Sequence, residues 1–121
     1  MTTPRMASYL RSHRLRSGMS QRDLSELVGT LNHQQVSKHE RSTIIPSLVT
    51  ALSYHMVFSV PIAELFPGLY ETISINIEEH VRELEKRLQG SPAKGRAAHI
   101  IARKLEWLWE RQHSADQASA T

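Results

Sequence analysis

The sequence predicts an all-α protein, with five short helices in residues 5–68 and a two-helix region in residues 71–113. Three observations carry this. Apolar residues recur at steps of three and four, the period of one helix face. Ser, Asn, Gly and Pro stand where helix ends need caps and breakers. No stretch alternates apolar and polar residues strongly enough to compete as a strand.

A length of 121 residues leaves room for one compact domain and an appendage. Hydrophobic residues at 40% and charged residues at 22% fit an ordinary globular chain. The lack of cysteine excludes disulfides and thiolate metal sites and fits a reducing cytoplasm. No apolar run approaches the roughly 20 residues of a membrane span, and no apolar core follows Arg5 as in a secretory leader. His33 and His39 are six apart, and His80, His99 and His113 are scattered. None has the i, i+4 pairing of a helical metal site, so neither a metal nor a cofactor is expected. A Gly-rich phosphate loop, a nucleophile elbow and paired carboxylates are also missing, which argues against an enzyme.

Charge is unevenly placed. Residues 1–70 hold seven Lys/Arg and four acids, whereas residues 71–121 hold eight of each. The whole excess of +3 therefore lies in the N-terminal part, which suits a polyanion partner such as nucleic acid.

Residues 5–17 read as the first helix, anchored by Met6, Leu10 and Leu15 and ended by Gly18. Ser20 is the expected N-cap of a helix over 21–28, with Asp23 in the capping-box position. Leu24, Leu27 and Val28 are its inward face, and Gly29 stops it. Asn32 is the next N-cap, opening a polar helix over 33–41 whose one clear apolar anchor is Val36. After the loop to Pro46, residues 47–57 repeat Leu48, Ala51, Leu52 and Met56 on a helical period. A short fifth helix follows, with Pro61 suited to its first position.

Beyond Gly68, Ile73, Ile77, Val81, Leu84 and Leu88 form a stripe on a charged helix. Residues 89–96 hold two Gly and a Pro and break it. A second helix over 97–112 aligns Ile101, Leu105 and Leu108, with Ile100 and Trp107 on an adjoining stripe. Residues 114–121 are expected to be a disordered tail.

A helix laid in the DNA major groove must expose side chains that pair with base edges, and must be held by a second helix at a fixed angle. Residues 20–41 meet both needs. Here the sequence resembles the Cro and phage-repressor (XRE-type) helix-turn-helix family. The resemblance rests on Gly18-Met19-Ser20-Gln21, Leu24-Ser25, Gly29, Val36 to Arg41, Pro46-Ser47-Leu48 to Leu52, and Ile62 to Phe66. It covers residues 5–66 and implies a five-helix lambda-repressor-like DNA-binding domain. It further implies that Gln21 touches a phosphate and braces the recognition helix. His33, Gln34 and Lys38 fall at base-reading positions, with Gln35 beside them. Ser37, Arg41 and Thr43 lie near the sugar-phosphate backbone. Arg14 and Glu40 form a structural pair. Three departures from the family pattern stand out. Thr30-Leu31 adds one residue to the turn, His39 replaces an apolar residue, and Ser42 replaces a glycine.

The resemblance implies a sequence-specific transcriptional regulator of bacterial or phage type, a repressor that binds double-stranded DNA in the cytoplasm, on the nucleoid. Its palindromic operator would be bound by a homodimer formed through residues 71–113, whose apolar stripes exceed what two helices can hide. The rival reading is a DNA-binding antitoxin or adaptor whose C-terminal helices bind another protein.

Overall fold

The computed structural model describes residues 8–120, with side chains for residues 8–114. Seven helices occur in order among them: α1 (Leu10–Arg16), α2 (Gln21–Val28), α3 (His33–Glu40), α4 (Leu48–Phe58), α5 (Ile62–Leu65), α6 (Pro67–Gln89) and α7 (Arg96–Ala120). No strand occurs among the described residues. The chain divides into two compact units that part between Ile73 and Ser74. The expected boundary at 68–71 therefore falls inside α6, which starts at Pro67, a residue suited to a first helical position.

The first unit folds around Leu10, Leu24, Val36, Tyr54, Leu65 and Phe66, one residue from each of α1 to α5 and one from the turn after α5. Val28, Leu31, Val57, Phe58 and Ile62 pack around that centre. The helix ends are closed by local hydrogen bonds. At the end of α1, Gly18 takes φ +74, and its N–H reaches Leu15 O while Met19 N reaches Arg14 O. This is a Schellman closure, which needs a left-handed residue at that point. The same closure ends α3, where Ser42 N donates to His39 O and Thr43 N to Lys38 O. Ser42 adopts φ +57 there, so the position that holds glycine in the family keeps a left-handed backbone with a side chain, at a cost of about 1 kcal/mol.

Several expected core residues face outward. Leu15 and Leu27 are exposed, and only Leu10 and Leu24 anchor their helices fully; Met6 lies outside the described residues. On α4 the buried face is Thr50, Ala51 and Tyr54, with Val57 and Phe58 half-buried. Leu48, Leu52 and Met56 are exposed, Met56 at 74%. The reason is physical. The helix has apolar residues on several sides, so its sequence offers more than one stripe, and the large Tyr54 ring takes the central space. Pro61 stands at the N-cap of α5, one place before the expected position.

The second unit is an antiparallel hairpin. Leu88 and Leu108 are buried in it, and Val81, Leu84, Ile101 and Leu105 are half-buried. Arg111 Nη2 donates to Glu78 Oε1 at 2.7 Å across the pair. Gly95, at φ +64, turns the chain into α7. The backbone of α7 runs on through residues 114–120, past the expected end at Gln112 and through the segment expected to be a disordered tail; residue 121 lies outside the described residues. Ile77, Ile100, Trp107 and Trp109 stay exposed, and Trp109 stacks on His113 at 3.7 Å.

Candidate nucleic-acid interface

Both helices of the motif begin with a reciprocal cap. Ser20 Oγ accepts from Asp23 N at 3.0 Å, and Asp23 Oδ2 accepts from Ser20 N at 2.9 Å. These bonds, the backbone one first, hold the Asp23 carboxyl below the usual carboxylate range. Asn32 Oδ1 accepts from Gln35 N, and Gln35 Oε1 accepts from Asn32 N, both at 2.9 Å. Each pair satisfies two amides that a helix start leaves open. Between the helices Gly29 takes φ +83 and Thr30 is exposed. Leu31 turns inward onto the core. The added turn residue thus supplies an extra anchor, and α3 begins at His33.

The inner side of α3 carries Val36, His39 and Glu40, all buried. Glu40 is held at three points. Its Oε2 accepts from Arg14 Nε at 2.6 Å, and its Oε1 accepts from Arg14 Nη2 at 3.1 Å and from Gln21 Nε2 at 3.0 Å. Arg14 Nη1 also donates to Met19 O at 2.9 Å. One carboxylate therefore ties α1, α2 and α3 together, and the bond to Glu40 raises the Arg14 pKa further. The Arg14–Glu40 pair expected from the sequence is present as a buried, forked ion pair.

His39 fills the place of the expected apolar residue with a hydrogen-bonded ring. Its Nδ1 and Tyr54 Oη are hydrogen-bonded at 2.7 Å, with the rings edge to face. Burial lowers the His39 pKa. Burial first, and the Glu40 charge second, raise that of Tyr54 and keep its phenol protonated. Both groups are thus neutral at physiological pH, which suits their buried positions.

The outer side of α3 holds Gln34, Ser37, Lys38 and Arg41, at spacings i, i+3, i+4 and i+7. Gln34, Lys38 and Arg41 are exposed, and Ser37 is half-buried between them. Arg41 Nε donates to Ser37 O at 3.3 Å, which lays the guanidinium along the helix. Thr43 is exposed just past the closure of α3. His33 is exposed at the edge nearest α2 and shares an open concavity with Arg14, Ser20, Gln21 and Arg22. Gln35 is half-buried on the far edge with its amide oxygen engaged in the cap. The sequence-based set thus forms one central stripe with two flanks. Arg22, which the sequence-based set leaves out, follows Gln21 in the first turn of α2 and lines the same concavity.

A family model described as a helix-turn-helix matches residues 10–65. Residues 10–65 are a helix-turn-helix domain of the Cro/phage-repressor type. None of the curated proteins and none of the solved structures compared with the chain matches it. A helix-turn-helix domain at residues 10–65 supports a DNA-binding transcriptional regulator. Within that domain α3 is the second helix of the motif, and the Arg14–Glu40–Gln21 cluster fixes it against α1 and α2. No helix of the described residues is long and apolar enough to cross a membrane.

Proposed function

We propose that the protein is a sequence-specific transcriptional repressor that binds a palindromic operator as a homodimer. The observation behind this is the polar stripe Gln34, Ser37, Lys38 and Arg41 on a helix whose opposite side is locked by buried contacts. Glutamine can pair with the N6 and N7 edge of adenine, and lysine donates to guanine. In this reading Gln34 and Lys38 address bases, with His33 and Gln35 at the margins. Ser37, Arg41, Thr43 and Gln21 hold the sugar-phosphate backbone, and Arg22 adds a phosphate contact. The excess positive charge of residues 1–70 supplies the salt-dependent share of affinity. Repression is steric: the bound protein occupies the operator and blocks polymerase on the nucleoid, in the cytoplasm.

Dimerisation runs through residues 71–113. Ile77, Ile100 and Trp107 remain exposed on the hairpin, which favours a further partner. A two-fold dimer sets two recognition helices about 34 Å apart, one turn of DNA. The same exposed residues support a second reading, in which the hairpin binds another polypeptide, as in an antitoxin or adaptor. Selection of bound sequences from random DNA by the full chain tests the proposal. A symmetric consensus with half-sites about one turn apart is expected. Recovery of an unsymmetric site refutes the palindromic dimer, and recovery of no enriched sequence refutes sequence-specific binding.

A further inference from the structure

Charge along the α6–α7 hairpin is sorted by end. Residues 80–104, the end that carries the connecting loop, hold seven Lys/Arg and two Glu, a net +5. Residues 67–79 with 105–121, the opposite end, hold six acids and one Arg, a net −5. The two sets cannot meet within one hairpin. Its antiparallel course, pinned by the Arg111–Glu78 bond, lays Glu78 and Glu79 of α6 at the same end as Glu106 and Glu110 of α7.

Apolar surface follows the same division. An open groove lined by Leu84 and Ile100, with Arg103 and Lys104 on its rim, lies at the basic end and reaches just past the division to Trp107 and Leu108. At the acidic end residues 71–80 of α6 are all exposed, and they carry Ile73, Ile75 and Ile77 among Glu71, Glu78 and Glu79. One end thus offers an apolar groove edged with cations, and the other an apolar ridge edged with anions.

From this we infer that the occupant of the groove is the acidic half of α6 from a second copy of the chain, and that the two hairpins associate antiparallel. This rests on the homodimer reading above and adds its orientation. A two-fold axis across the middle of the hairpin brings each +5 end onto the partner's −5 end. Parallel association sets +5 on +5 and −5 on −5. Complementary potential favours the first and opposes the second. Ile73 and Ile77 of one copy then cover Ile100 and Trp107 of the other.

The test is a charge exchange, read by sedimentation equilibrium of the full chain at low salt. One variant is Arg103→Glu with Lys104→Glu. The other is Glu71→Lys with Glu79→Lys, which leaves the Glu78–Arg111 bond intact. Each variant alone is expected to dimerise at least about ten-fold more weakly than the parent. Mixing the two is expected to restore a dimer, because each reversed groove then meets a reversed helix. Helical content of each variant, measured by circular dichroism, accompanies the test, and the mixed dimer itself requires both chains to be folded. Tighter association of either variant alone overturns the antiparallel orientation, as does unchanged affinity or a mixture that stays monomeric. In those cases the parent dimer still stands. A parent chain that is monomeric throughout overturns the homodimer reading itself.

Discussion

Replacing Arg14 with Met removes the cation from a carboxylate that is almost fully enclosed. The Arg14 and Glu40 side chains are 8% and 2% exposed. Of the three hydrogen bonds that Glu40 accepts, two come from Arg14, so the variant leaves the charge with Gln21 alone. Breaking a buried pair from one side costs about 3–5 kcal/mol. A domain of this size has on the order of 3–10 kcal/mol in all. The single variant is therefore expected to sit near its unfolding midpoint at room temperature. Arg14→Met combined with Glu40→Leu removes both charges and should recover most of the loss. Urea titration followed by circular dichroism reads the difference as a midpoint shift of about 1–3 M. Hydrogen exchange of the α3 amides reports the same domain separately from the hairpin. A loss below about 1 kcal/mol for the single variant would show that the pair behaves as a screened surface contact, and would refute the reasoning.

Three further predictions concern α3. Burial lowers the His39 pKa below its ordinary 6.5, so the unfolded chain takes up the proton first as pH falls; stability is kept above about pH 6.5 and declines below it, and His39→Gln should flatten that slope in thermal melts across pH 5–8. Gln34→Ala is expected to weaken operator binding by about 1–3 kcal/mol and leave non-specific DNA unchanged. Gln35→Ala is expected instead to destabilise the fold by about 0.5–2 kcal/mol through its cap, with both kinds of DNA affected alike. Titration against specific and random duplexes separates the two glutamines, and equal behaviour of the two would contradict the division drawn between them.

The parts of the fold that were legible in the sequence are those fixed by local chemistry. Ser20, Gly29 and Asn32 placed the starts of α2 and α3 and the end of α2 to the residue, because caps and left-handed turns involve neighbours only. The face of α4 was not legible. A helix with apolar residues on several sides offers more than one periodic stripe, and the choice of Tyr54 over Leu48 and Met56 is made by packing against distant helices. His39 was visible as an anomaly, but its partner Tyr54 lies 15 residues away and on another helix. Within the candidate interface the residues of the α3 stripe came from the resemblance to the helix-turn-helix family, and the observed helix lines them up on one side. The capping role of Gln35 was also spelled in the sequence, as Asn32 followed three residues later by an amide. It was masked because a glutamine beside another glutamine suggests two copies of one role.

That neighbouring pair has a consequence for how such a protein can be re-addressed. Position 35 is bound to the start of α3 by two hydrogen bonds, so altering it changes when the helix begins. Position 34 makes no demand of that kind on the helix start, and under the proposed role it spells the site. New operator preferences could then be written at 34 and 38 while the scaffold is left alone. An engineer, or a lineage under selection, would find the alphabet and the punctuation of this helix on separate residues.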